Sequence, residues 1–183
     1  IAPQASQTDQ DARWPLHSMQ ALAEAGVMGL HVPKRFGGHE QGLLALAVLG
    51  ETIAQGCTSS ALCYAMHCVG SAVITAKATA YHEEKYLVPI AENRHITTLA
   101  LSEHGTGAHF YLPQTELALS GAHYIVNGTK RYITNANKAH AFTLMARTDP
   151  KTPGAKGVSA FVVPSDIPGI HIGKPEKKMG QQG

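Results

Sequence analysis

Tyr124-Ile125-Val126-Asn127-Gly128-Thr129-Lys130-Arg131-Tyr132-Ile133-Thr134-Asn135 is the stretch on which the reading of the fold turns. Asn127-Gly128 sits between two β-prone runs, and both residues tolerate positive φ. The pair therefore predicts a hairpin joining Tyr124–Val126 to Lys130–Thr134. On the second strand Tyr132 and Thr134 are two residues apart, which would set both side chains on one face. An aromatic ring beside a hydroxyl can cover a flat heterocycle and hydrogen-bond its edge. Both residue types are also common on ordinary half-buried strands, so spacing alone does not separate the two uses.

Around this stretch, short runs rich in Thr, Val, Ile and Tyr alternate with Gly, Pro and Asn. They predict strands at Thr97–Ser102, Thr115–Leu119, Phe142–Arg147, Ser159–Val163 and Ile170–Ile172. No segment of helix length intervenes, so the expectation is antiparallel β and not βαβ. The last residues, Met179 to Gly183, bring no closing strand, which reads as a β-barrel or sandwich cut short at its C-terminal side.

Upstream of about Asn93 the period changes to that of a helix. Leu16, Met19, Leu22, Ala23 and Gly26 follow Pro15 at helical spacing, with Gly29 and Pro33 as stops. A second helix is expected from about Glu40 to Gln55, closed by Gly56. It is apolar on nearly every side, as in a helix buried within a bundle. A third is expected to start at a cap on Ser59 or Ser60 and run to about Lys77. A fourth should span Tyr81 to Glu92, bent or ended by Pro89. The expected organisation is α+β, with an all-α part over residues 1–94 and an incomplete antiparallel β part over residues 95–183.

Composition excludes several classes. The 183 residues are 44% apolar and 15% charged, with a net charge of +2, so neither disorder nor a nucleic-acid partner is indicated. Cys57, Cys63 and Cys68 are odd in number and lack C-x-x-C spacing, which argues against a disulfide framework or zinc site. Ala61–Ala76, broken by His67, Gly70 and Ser71, falls short of a membrane span. The expectation is a soluble cytoplasmic protein. Starting with Ile1, the chain reads as a processed product or a piece of a longer one. Gly105-x-Gly107 lacks a surrounding βαβ unit and is no dinucleotide loop. His104 and His109 have no third ligand nearby in sequence, and Glu51 reads as a helix-edge carboxylate.

The run from Tyr124 to Asn135 resembles the acyl-CoA dehydrogenase motif "Y-hydrophobic-L-N-G-x-K-x-W-I-T-N". Other parts agree in order: Trp14-Pro15 with Leu22–Gly26, Gly29–Pro33 through Phe36-Gly37-Gly38, Lys85–Pro89, and Gly157–Pro164. The resemblance spans the chain apart from its first dozen residues. It implies a flavoprotein that binds FAD and an acyl-CoA or related acyl thioester. It also implies transfer of electrons to electron-transfer flavoprotein or another acceptor, and assembly as a dimer or tetramer. By the same resemblance Leu99, Ala100, Leu101 and Ser102 form a flavin-binding segment, with Gly107 and Ala108 in the loop that follows. Tyr132 takes the place of an aromatic, usually Trp, lying on the isoalloxazine. Ile133 contributes backbone, and the Thr134 hydroxyl lies near flavin N5. Ala108 is also the implied substrate contact.

Two features depart from the family pattern. The usual "T-E-P-x-A-G-S-D" stands here as Ser102-Glu103-His104-Gly105-Thr106-Gly107-Ala108-His109. Ala108 keeps only backbone groups where a Ser would bond the thioester, a loss of about 0.5–1.5 kcal/mol. The catalytic base implied by the family, a Glu on a C-terminal helical domain, lies outside Ile1–Gly183. Three readings follow: part of an FAD-dependent acyl-CoA dehydrogenase, a flavin monooxygenase of the same fold, or a non-catalytic binding module.

Overall fold

A computed structural model describes residues 1–183. After a short first helix, α1 (Ala5–Gln10), the apolar spacing behind Pro15 produces α2 (Leu16–Glu24), which buries Met19 and Leu22. Gly26, expected to continue this helix, ends it instead. At φ +74 it lets its own N–H reach Ala23 O (2.9 Å) and the Val27 N–H reach Leu22 O (3.2 Å). That pair of bonds is the Schellman closure, which selects glycine.

α3 (Leu43–Gly56) and α4 (Thr58–Ala76) meet at Cys57, whose extended backbone breaks the helix. Cys57 is also the residue preceding α4. The expected caps Ser59 and Ser60 lie inside its first turn and are buried. α4 is the central core helix and buries Cys63, Tyr64, His67, Cys68 and Ile74. It is long and apolar enough to cross a membrane by length and composition, yet more than half of it is packed inside this fold. α3 corrects the expectation of a fully buried helix. Only Ile53 is buried, while Leu43 and Leu44 are 75% and 81% exposed. α4 covers one side of α3, and the apolar residues on the other side have no partner within the chain.

The fourth helical stretch consists of α5 (Ala80–His82), a π-turn at Glu83–Leu87, and α6 (Val88–Ala91). The π-turn lies just before Pro89, where the missing N–H interrupts the regular ladder.

The remainder is one mixed sheet of β1 (Thr97–Ala100), β2 (Glu116–Ser120), β3 (His123–Asn127), β4 (Ala141–Arg147) and β5 (Val158–Pro164). The helices-then-sheet organisation read from the sequence is the one found. Antiparallel pairing holds for β2–β3 and for β4–β5 in full register, Ala141↔Pro164 to Arg147↔Val158. β1, however, runs parallel to β4, Thr97↔Ala141 to Ala100↔Leu144. Forty residues separate those two strands, a connection long enough for the chain to return in the same direction.

The hairpin is displaced from its expected place. Ser120 pairs with His123, so Gly121 and Ala122 form the turn, with Gly121 at φ +61. A glycine at the first of two turn positions suits this connection as well as Asn-Gly would. Gly128 serves a different need, because a Cβ there would lie 2.2 Å from Thr115 Oγ1. Lys130–Thr134 is not a strand beyond a single bridge, Glu103↔Lys130, and Ile170–Ile172 is not a strand either.

α4 lies directly against β1. A Cβ on Gly70 would approach Thr98 N to 2.9 Å, so the absence of a side chain sets the distance between helix and sheet. His67, fully buried, joins them by hydrogen bonds. Its Nδ1 accepts from Thr97 N–H (3.2 Å), which leaves Nε2–H to donate to Met28 O (3.0 Å).

Candidate flavin-facing site

β1 ends at Ala100, and the chain continues through Leu101, Ser102 and Glu103 alongside residues 130–134. Three contacts hold the two segments together. Arg131 N–H donates to Ser102 O (2.8 Å), Thr98 Oγ1–H donates to Thr134 O (2.7 Å), and Lys130 Nζ meets Glu103 Oε1 at 2.6 Å. The sequence-derived residues Leu99, Ala100, Leu101, Ser102, Tyr132, Ile133 and Thr134 are therefore neighbours in space.

Tyr132 and Asn135 adopt positive φ, +57 and +65. This removes the basis for placing Tyr132 and Thr134 on one strand face, since alternation requires extended backbone. The consequence is a tight turn of unpaired donors. The N–H groups of Tyr132, Ile133 and Thr134 have no backbone acceptor, and the Thr134 hydroxyl has no partner inside the protein. Tyr132 is 67% exposed, with the Arg131 guanidinium 4.9 Å from its ring centroid. Ile133 faces the other way and packs on the small core of Ala100, Ala139 and Phe142. A left-handed tyrosine carries a strain of roughly 1–2 kcal/mol, which such sites retain when the surroundings fix it.

Three residues that fix this turn were given no role by the sequence reading. Asn135 is buried, accepts from Trp14 Nε1–H (2.9 Å) and donates from Nδ2 to Cys63 O (2.8 Å). It thereby ties the turn to α4 and to the start of α2. Glu103 and Lys130 form a buried ion pair, with side chains 2% and 10% exposed. Lys130 Nζ also donates to Leu101 O (3.3 Å) and Met145 O (2.5 Å), while Glu103 accepts from Gln114 N–H (2.5 Å) and Thr115 N–H (3.1 Å). Burial alone would raise the Glu103 carboxyl. Its bonds from Lys130, Thr115 and Gln114 outweigh this and hold it below its ordinary range. The signal for all three lay in the quoted motifs, where Glu103, Lys130 and Asn135 stand at fixed positions.

Gly107 (φ +49) and Ala108 lie in the exposed loop whose base Glu103 closes. No hydrogen bond joins them to Tyr132–Thr134. The loop is held by His109 N–H to Thr106 O (2.8 Å), and the His109 ring meets Tyr111 OH at 2.9 Å. His104 contacts Arg131 (3.2 Å), and no cluster of three metal-ligating side chains occurs.

This arrangement has counterparts. Residues 1–94 match the profile described as acyl-CoA dehydrogenase, N-terminal domain, and residues 98–183 match acyl-CoA dehydrogenase, middle domain. The chain belongs to the acyl-CoA dehydrogenase family. It is 32% identical to the short-chain-specific acyl-CoA dehydrogenase of Clostridium acetobutylicum, over 98% of this chain and 48% of that protein. The butyryl-CoA dehydrogenase of Megasphaera elsdenii superposes with a TM-score of 0.86 at 28% identity, covering 100% of this chain and 49% of the other. A structure described as the FAD complex of PigA gives 0.78 at 27% identity, over 95% and 48% of the two chains. The chain thus spans about half the length of the proteins it matches.

Proposed function

We propose that this chain is the flavin-facing part of an FAD-dependent acyl-CoA dehydrogenase that introduces an α,β double bond into an acyl thioester. The observation that carries the proposal is the turn at Tyr132–Thr134. Three successive unpaired N–H groups and a free hydroxyl stand beside an exposed aromatic ring, next to the Leu99–Ser102 segment. A flat heterocycle with acceptors along its edge fits that set, and the PigA structure, described as an FAD complex, shares the fold. When bound, the flavin accepts the hydride leaving the substrate β-carbon.

In this reading Tyr132 covers the ring, while Ile133 and Thr134 present N–H groups to its edge. The Thr134 hydroxyl donates near the position that receives the hydride. Leu99, Ala100, Leu101 and Ser102 line the adjoining edge, with Gly107 completing the cofactor contacts. Ala108 supplies backbone groups to both the cofactor and the thioester. The base that removes the α-proton is a carboxylate outside Ile1–Gly183. Electron-transfer flavoprotein or another acceptor, a homo-oligomeric assembly and a cytoplasmic setting complete the proposal. The three cysteines, free and buried, suit a reducing compartment.

Thr134→Val in the full-length protein tests the assignment, because it removes the hydroxyl at nearly constant shape. Flavin reduction by an acyl thioester should slow by about two- to tenfold, corresponding to a hydrogen bond of about 0.5–1.5 kcal/mol. FAD content and melting temperature should be unchanged. An unaltered reduction rate would remove Thr134 from the site.

A further inference from the structure

A cleft of about 270 Å³ lies between the end of α4 and the β4–β5 pair, and none of its lining residues belongs to Leu99–Ser102 or Tyr132–Thr134. Its walls are largely apolar, formed by Ile74, Phe161 and Val162 among others. Two polar side chains on its lining, those of Lys77 and His82, have free hydrogen-bonding capacity. Lys77, the residue after α4, takes part in no ion pair or hydrogen bond within the chain. His82 accepts the Thr79 N–H at Nδ1 (3.2 Å), so its neutral ring carries the proton on Nε2, and that donor has no partner. Thr143, also on the lining, already donates its hydroxyl to Thr98 O (3.0 Å) and adds no free donor.

We propose that this cleft binds a small organic monocarboxylate, its hydrocarbon part against Ile74, Phe161 and Val162 and its carboxylate between Lys77 and His82. Apolar walls with one cation and one free N–H on the lining match an anion carrying a short hydrocarbon body. A divalent cation would find no carboxylate among the lining residues, and a sugar would leave its hydroxyls facing apolar walls. The lining comes from both the helical part and the sheet, so the ligand would fasten α4 and α5 to β4–β5. The site requires neither the flavin nor the thioester.

The test is a titration of the full-length protein with hexanoate, followed by methyl NMR at Ile74 and Val162. Hexanol serves as the uncharged match. Saturable shifts at both residues with hexanoate are expected, weakened at least tenfold by Lys77→Met and by replacing hexanoate with hexanol. The methyl shifts should persist when the flavin-side ligand is saturating, which separates this cleft from any binding of hexanoate as a substrate analogue. Absent shifts, or shifts equal in the Lys77→Met variant or with hexanol, would overturn the proposal.

Discussion

Replacing Lys130 with methionine is expected to destabilise the protein by about 3–5 kcal/mol at neutral pH, read from urea unfolding. The size follows from what is left behind. Glu103 would remain buried among its two backbone donors without the ammonium 2.6 Å away. In the parent the carboxyl lies below its ordinary value, so its contribution is present above the unfolded carboxylate pKa. That contribution is lost as pH falls through the depressed folded value. In the variant burial is opposed only by the backbone donors, the carboxyl moves upward, and protonation relieves part of the loss. The deficit should therefore shrink on going from pH 7 towards pH 5. Adding Glu103→Gln to Lys130→Met should recover much of the stability, giving a coupling energy well above 1 kcal/mol. A single-variant loss below 1 kcal/mol would mean that this pair does not hold the base of the 103–115 loop.

Stability should also fall as the protein is acidified from pH 6.5 to pH 4, with His67 a principal contributor. Burial pushes His67 down from 6.5 to about 4; the bond to Met28 opposes this and the nearby His31 adds to it. The lowered folded value fixes the sign. Above 6.5 neither state takes up the proton and the full stability is present. Between 6.5 and about 4 the unfolded chain binds it and the folded one does not, so stability declines by roughly 3 kcal/mol before levelling off. His95, pushed to about 4 by burial and by His140, His67 and Arg94, acts in the same window. Protonated His67 would turn an N–H towards the Thr97 N–H that its Nδ1 now accepts, and so loosen the seam between α4 and β1. His67→Gln, which does not titrate, should reduce the pH dependence of the urea midpoint across this range, leaving the part that His95 contributes. A variant with the parental slope would assign the effect elsewhere.

How far the sequence was legible can be seen residue by residue. Helical spacing located α2, α3 and α4 to within a few positions, because α2 and α3 each bury one face against α4 and α4 is buried between them and β1. It misjudged α3, since an all-round apolar helix signals that partners exist without saying that they belong to the same stretch of chain. Five of the seven expected strands formed, because β-prone runs are a local signal; Lys130–Thr134 and Ile170–Ile172 did not, and the parallel pairing was not legible. Parallel β1–β4 contact joins residues more than forty apart, and no local signal carries it. Asn127-Gly128 misled for a specific reason. Gly128 answers to crowding against Thr115, a tertiary contact, while Gly121 makes the turn. The segments named from the motif, Leu99–Ser102 and Tyr132–Thr134, are neighbours in the structure. The geometry that places Tyr132 beside free N–H groups depends on positive φ at Tyr132 and Asn135, which residue type alone does not specify. The positioning roles of Asn135, Lys130 and Glu103 are likewise matters of burial and distance.

The central claim, that the Tyr132–Thr134 turn and the Leu99–Ser102 segment receive a flavin in an acyl thioester dehydrogenase, is tested most directly by absorbance spectroscopy of the purified full-length protein. The account predicts a yellow preparation with non-covalent FAD that acyl-CoA thioester bleaches anaerobically, and weak or no retention of FAD by residues 1–183 alone. A well-folded, colourless full-length protein that cannot be reconstituted with FAD would contradict it.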